Sequence, residues 1–199
     1  MQFHDITTDK KKTHVVQTPG THVFFFFNKT GDLSFDIESK KARVYIFGMY
    51  LGKKKARFFV KTSQKHSVGD STSSLLINGV FFDEAVFAHE GLITIPKEAK
   101  NVAAEQYGHN VLMSKKCSVE SKPFLEIDTH DVTCTHAVTT GTLNKEQVRY
   151  LMTRGISKKK AQILMLSGFF EEVFAKMHDV GITKEIDAYK EKLREYQTS

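Results

Sequence analysis

Short apolar runs broken by turn residues fill this chain from Thr21 to Val138, and they leave it one class of fold. The runs lie at 23–27, 33–37, 43–47, 57–60, 75–77, 85–87, 92–95, 111–113 and 124–127. Each is about a strand long and rich in β-branched or aromatic residues, with Gly, Asp, Asn, Lys or Ser at the breaks. Many alternate: Leu33, Phe35 and Ile37 share one parity while Ser34 and Asp36 take the other. The run Val23-Phe24-Phe25-Phe26-Phe27 is apolar on both parities and is predicted to be covered on both faces. Recurrence about every 8 to 18 residues means an all-β domain, and a sandwich, a barrel and a β-helix all satisfy it. No strict repeat separates the three.

The text changes at Gly141, after which the periodicity is helical. Asn144 suits the cap of a first helix, with Gln147 completing a capping-box pattern and Gly155 as the stop. Val148, Leu151 and Met152 form its apolar stripe. Ser157 caps a second helix, whose wide apolar coverage takes in Ala161, Leu164, Met165, Gly168 and Phe169 and a flank of Phe170, Val173, Phe174 and Met177. Beyond Gly181, Thr183 begins a last amphipathic helix with Ile186, Tyr189, Leu193 and Tyr196 in line. Met1 to Gln17 is polar and reads as a loose arm. The expected organisation is therefore an arm at 1–20, a β-domain at 21–141 and a helical domain at 142–199.

Charge and cysteine content narrow the function. The formal net charge is +6, and residues 1–60 carry all of it, with 11 Lys or Arg against 5 Asp or Glu. Lys10-Lys11-Lys12 and Lys53-Lys54-Lys55 supply much of that surplus. Aromatic residues are not interleaved with these runs and no nucleic-acid motif accompanies them, so they read as solvated turns. A basic nucleic-acid-binding module is the alternative they leave open. Cys117 and Cys134 are too few for a disulfide framework and too far apart for a CxxC site. The longest apolar stretch is far short of a membrane span, and the first residues lack a signal-peptide h-region. A soluble, cytoplasmic protein is expected. P-loop, GxGxxG, GxSxG and HExxH patterns do not occur, so no nucleotide is expected on this chain. His89-Glu90 reads as a turn, and most of the 9 His as surface residues.

Cys134 and His136 stand out because they sit two apart on an extended stretch and so share a face. A thiolate beside an imidazole suits a metal or iron–sulfur ligand pair, and equally a nucleophile and its base. Taken alone, the pair is as well explained by a buried thiol and a histidine bonded to backbone. Cys117 and His130 are the further residues of suitable chemistry.

The surroundings of the pair carry more. KPFLEI at 122–127, DVTCTHAVTTGTL at 131–143, EQVRYLMTRGIS at 146–157 and AQILMLSGFFEEV at 161–173 follow one another in order. This series resembles the C-terminal core of the SufB/SufD family of the SUF iron–sulfur cluster assembly system, and is nearer to SufD, whose strand reads Cys-x-His. Weaker similarity extends upstream to about Gly31. The resemblance implies a right-handed parallel β-helix followed by a helical C-terminal domain. It implies a non-enzymatic scaffold subunit that pairs through its β-helix with a SufB-like subunit or a second copy of itself. It also implies a SufC-like ABC ATPase as partner, docked on the helical domain, with Gly155, Ile156, Gly168, Phe169, Phe170 and Val173 as the candidate docking residues. His136 and then Cys134 become candidates for contact with iron or a transient iron–sulfur cluster. The glutamate that SufB-type proteins place after the matched histidine is Ala137 here. The family's N-terminal helical region does not appear, so the chain reads as a SufD-like core.

Overall fold

The computed structural model describes residues 1–198, except the side chains of Lys192 and residues 195–198. Two compact units divide the chain at the change of text, Met1–Gly141 and Thr142–Ser199.

The first unit is a parallel β-helix. Its strands are β1 (Gln2–Asp5), β2 (Thr13–Val16), β3 (Gly20–Phe27), β4 (Gly31–Ile37), β5 (Ala42–Gly52), β6 (Arg57–His66), β7 (Ser71–Phe81), β8 (Val86–Ile95), β9 (Val102–Leu112), β10 (Ser118–Ile127) and β11 (Val132–Gly141). Each pairs in parallel with the strand two further along. The odd strands form a six-stranded sheet and the even ones a five-stranded sheet, so the chain winds from one to the other. Short turns suffice because successive strands lie in different sheets, which avoids the long crossover that parallel neighbours need.

Lateral register stacks like positions coil upon coil. Phe24 lies beside Ile46, Ile46 beside Leu75, and Leu75 beside Gln106. The inward parity of the first coils makes the core, with Phe24, Phe26, Leu33, Phe35, Ile46 and Tyr50 all buried. Both parities of the phenylalanine run are buried, as its composition predicts: Val23, Phe24, Phe25 and Phe26 are each 4% exposed or less. Corner turns rest on left-handed backbone at Asn28, Lys54 and Asp83, and at Lys41, Asp70 and Asn101. Side chains of Asn28 and Asp83 span coils there: Asn28 Oδ1 accepts from the Leu51 amide at 2.8 Å, and Asp83 Oδ2 from the Lys54 amide at 2.7 Å.

Two expectations are corrected. Residues 1–20 are not a loose arm: β1 pairs with β3 and β2 with β4, burying Ile6, His14 and Val16. Polar composition hid this because the coil's outward residues are all solvated, leaving few apolar positions in two four-residue strands. The runs at 85–87 and 92–95 belong to the single strand β8, and His89-Glu90 lies in its middle rather than in a turn. Of the 9 histidines, His14, His22, His66 and His89 are buried and the other five are not.

The second unit holds α1 (Lys145–Thr153), α2 (Lys158–Asp179) and α3 (Lys184–Thr198), with α1 and α3 each packed on α2. Asn144 caps α1, its Oδ1 accepting from the Glu146 and Gln147 amides at 2.9 and 3.2 Å. Ser157 caps α2 through the Lys160 amide. Both helices end in Schellman motifs at Gly155 and Gly181, whose φ values of 82° and 92° suit glycine. At the second, the Ile182 amide donates to the Met177 carbonyl at 2.9 Å and the two buried side chains belong to the same cap. Ile186 and Leu193 of the predicted α3 stripe are buried; the Tyr196 side chain lies outside the described residues.

Candidate functional site

β11 is the last strand of the six-stranded sheet, so the β-helix ends on the strand that carries Cys134 and His136. In register, Cys134 lies beside Ala104 and His136 beside Gln106. Ala104 and Gln106 are buried inward residues of β9, so the pair occupies the same inward parity one coil later. With no further coil above, that parity is open: Cys134 is half-buried and His136 exposed.

The two side chains meet different surroundings. Cys134 packs against a small cluster of Ile93, Ile95, Ala99, Val102 and Ala104. Burial there pushes its thiol pKa up, with the Ala104 backbone working in the opposite direction. A thiol held protonated is a poor nucleophile, which counts against the Cys/His enzyme reading. Metal coordination tolerates such a thiol better, because binding itself drives off the proton. The other residues of suitable chemistry do not join them. Cys117 sits in the turn after β9 with its Sγ 3.1 Å from the Phe81 carbonyl and packs on the main apolar core that runs from Ile6 to Phe87. His130 is exposed at a corner, in a polar depression with Asp70, Asn101 and Asp131. Among the described residues no group of three or more His, Cys, Asp or Glu is placed to hold a metal ion.

The open end is also apolar. Leu125 of β10 has inward parity but is 40% exposed, and Phe124 beside it is 49% exposed. Phe124 forms one end of a groove of about 710 Å³ across the five-stranded sheet, floored by Ser34, Ser63 and Leu92 and flanked by Lys61 and Glu90. The basic runs fall in separate turns, where Lys12 faces Asp32 at 3.5 Å and Lys55 faces Glu84 at 3.9 Å.

The candidate docking residues of the second unit divide. Gly155 and Gly168 are exposed, Ile156 and Phe169 half-buried, and Phe170 and Val173 fully buried. Exposed apolar residues lie elsewhere on the same helices: Tyr150 at 59%, Met152 at 44% and Leu164 at 54%. Leu164 and Gly168 are one turn apart and so share a face of α2.

Sequence reasoning missed a buried polar layer in the middle coils. Thr62, Gln64 and His66 of β6, Ser71 and Ser73 of β7, His89 of β8 and Gln106 of β9 are all buried. Gln64 Nε2 donates to Ser73 Oγ at 2.7 Å, His66 bonds Ser71 and Ser73 at 2.8 Å each, and Thr62 Oγ1 lies 2.8 Å from His89 Nε2. The available signal was parity: Thr62, Gln64 and His66 continue the inward alternation begun by Phe58 and Val60.

Comparison with known proteins fits this architecture. The family described as SUF system FeS cluster assembly, SufBD core domain, matches residues 28–169. The iron–sulfur cluster assembly protein SufD of Escherichia coli is 31% identical over 126 residues, covering 63% of this chain and 30% of that protein. SufD of Bacillus subtilis is 34% identical over 116 residues, covering 58% of this chain and 26% of that protein. A SufBD-family iron–sulfur cluster assembly protein of Synechocystis is 32% identical over 92 residues. The chain spans less than a third of the length of these relatives. Since the matched region runs from the early coils of the β-helix into α2, this chain belongs to the SufBD core-domain family of the SUF iron–sulfur cluster assembly system.

Proposed function

We infer that this chain is a non-catalytic, SufD-like subunit of a cytoplasmic iron–sulfur cluster assembly scaffold. The observation that carries the reading is the family match across residues 28–169, which takes in both the β-helix and the first two helices. Pairing with a SufB-like subunit or a second copy uses the open end of the β-helix. Unpaired strand edges on β10 and β11 and the exposed Leu125 and Phe124 support this, since such an edge is a template for another chain. A SufC-type ATPase docks on the helical unit through Gly155, Ile156, Gly168 and Phe169. The exposed Tyr150, Met152 and Leu164 enlarge that surface, while the buried Phe170 and Val173 shape α2 from behind it.

Iron or a nascent cluster is cargo in this reading. Cys134 and His136 supply one sulfur and one nitrogen donor at the paired end, and two donors leave the remaining ligands to the partner chain. The test is anaerobic reconstitution of the assembled complex with iron and sulfide, comparing wild type with His136→Ala and Cys134→Ala. Cluster yield is expected to fall at least severalfold in one or both variants. An unchanged yield in both reduces the chain to a structural subunit.

A further inference from the structure

The first coil lays imidazole rings on the aromatic core. His4 of β1 stacks on Phe24 with centroids 4.9 Å apart. His14 of β2 stacks on Phe35 at 5.6 Å and tilts against Phe24 at 5.4 Å. Elsewhere in the early coils phenylalanine and aliphatic side chains do this work, and here two titratable rings, the exposed His4 and the buried His14, lie against Phe24 and Phe35. His14 is 9% exposed, and its Nε2 is buried without a hydrogen-bond partner among the described residues. A proton added there has no acceptor, so the charged ring has to leave its seat to be solvated.

The charged groups around the two rings act in both directions. His22 on β3 repels a charge on His4, and its own Nε2–H is committed to the Thr18 carbonyl at 2.9 Å. His4 itself, Lys11 and Lys29 repel a charge on His14. Asp9 attracts it more strongly than any one of these repels it, and its carboxylate also accepts from the Lys11 amide. Asp5, next to His4, turns its carboxylate to the Thr7 amide. Burial is the largest influence on both rings and disfavours the imidazolium.

Ile6 and Val16 seat the coil in the core, and backbone bonds run from the Ile6 amide to the Phe25 carbonyl and from the Ser34 amide to the Lys12 carbonyl. β1 and β2 each pair over four residues. Beyond the ladders, the Phe27 amide donates to Thr7 Oγ1 and Lys29 Nζ to the Asp9 carbonyl. Both are edge strands of their sheets, and short edge strands are among the first segments to open.

We propose that the first coil, β1 to β2, is acid-released, and that protonation of the buried His14, with charge added at His4 beside it, frees the coil from Phe24 and Phe35 while the rest of the β-helix stays closed. Opening bares the edges of β3 and β4 together with that aromatic face. Hydrogen exchange on the full chain at pH 7.5 and pH 5.0, corrected for intrinsic rates, tests this. Protection of β1 and β2 is expected to fall at least tenfold at the lower pH, with β5 and β7 unchanged. The variant carrying His4→Phe and His14→Phe keeps the stacking and is expected to lose the pH response. Loss of protection to the same extent in that variant, or no loss in wild type, overturns the proposal. An NMR titration of wild type gives a readout that needs no variant: the His14 ring is expected to titrate below the ordinary histidine range, and titration at or above 6.5 overturns the proposal.

Discussion

His66 shows how much one buried ring can dictate. Ser71 Oγ donates to the Val68 carbonyl, so it accepts from His66 Nδ1–H, and His66 Nε2 is left to accept from Ser73 Oγ–H. The ring is thereby fixed as the neutral Nδ1–H tautomer. Burial pulls His66 and His89 from 6.5 down to about 4. Their folded values lie below their unfolded ones, so the unfolded chain binds more protons between pH 6.5 and 4. Stability is therefore expected to hold above pH 6.5, fall as pH drops towards 4, and level off below. The loss is on the order of 2–3 kcal/mol for each ring. Urea unfolding between pH 7.5 and 4.5 measures it, and His66→Gln is expected to flatten the profile; an equally steep profile would exclude His66 as a contributor. Gly91 makes a second claim, because a Cβ there would sit 2.0 Å from Gln106 Nε2 in the sealed interior. Gly91→Ala is expected to cost about 1–3 kcal/mol by overpacking. Adding Gln106→Ser should recover more than half of it, and simple additivity in that double-mutant cycle would refute the contact. Cys134 and His136 were legible as a pair two apart on a strand. The layer of Thr62, Gln64, Ser73 and His89 was not, because polar residues on a strand announce a solvated face until a second sheet is known to cover it.

Elements were recognisable in kind and misjudged in extent. The run at 57–60 ends where apolar text ends, yet β6 continues to His66 because its inward polar side chains find partners on β7 and β8. Helix caps were clearer, since Asn144, Ser157 and the two Schellman glycines act within one turn of chain. The repeat was invisible for a physical reason. Left-handed corner residues at Lys41, Asp70 and Asn101 recur at 29 and 31 residues, but three different residue types fill the position. Lys41 is the poorest of them, as a long side chain in left-handed backbone is strained. Its amide donates to the Asp70 carbonyl at 2.6 Å, a bond that any residue keeps. Lys41→Gly is accordingly expected to raise stability by about 0.5–1 kcal/mol, read from the urea midpoint. A lower midpoint would mean that the lysine side chain contributes more than its backbone costs.

Two surfaces carry the molecule's proposed work. At the open end, Leu125→Lys places a charge on an inward-parity position that is 40% exposed in the single chain. Association with a SufB-like subunit or a second copy, followed by sedimentation, is expected to weaken at least tenfold while the melting temperature of the isolated chain stays within about 2 °C. Pairing at wild-type strength would move the interface elsewhere. On the helical unit, Leu164→Asp is expected to abolish co-purification with a SufC-like ATPase, and retained co-purification would remove that face of α2 from the docking surface. Local chemistry settled the alternation that makes strands, the capped helices after Gly141 and the ordered motifs that carry the family resemblance, since each depends on neighbours within a few residues. Folding alone assigned the polar first coil to the β-helix, sealed His66 and His89 inside, buried Phe170 and Val173, and left His136, Leu125 and Leu164 uncovered. Those outcomes rest on pairing between strands about thirty residues apart and on which positions a neighbouring element covers, and neither is encoded in any short stretch of chain.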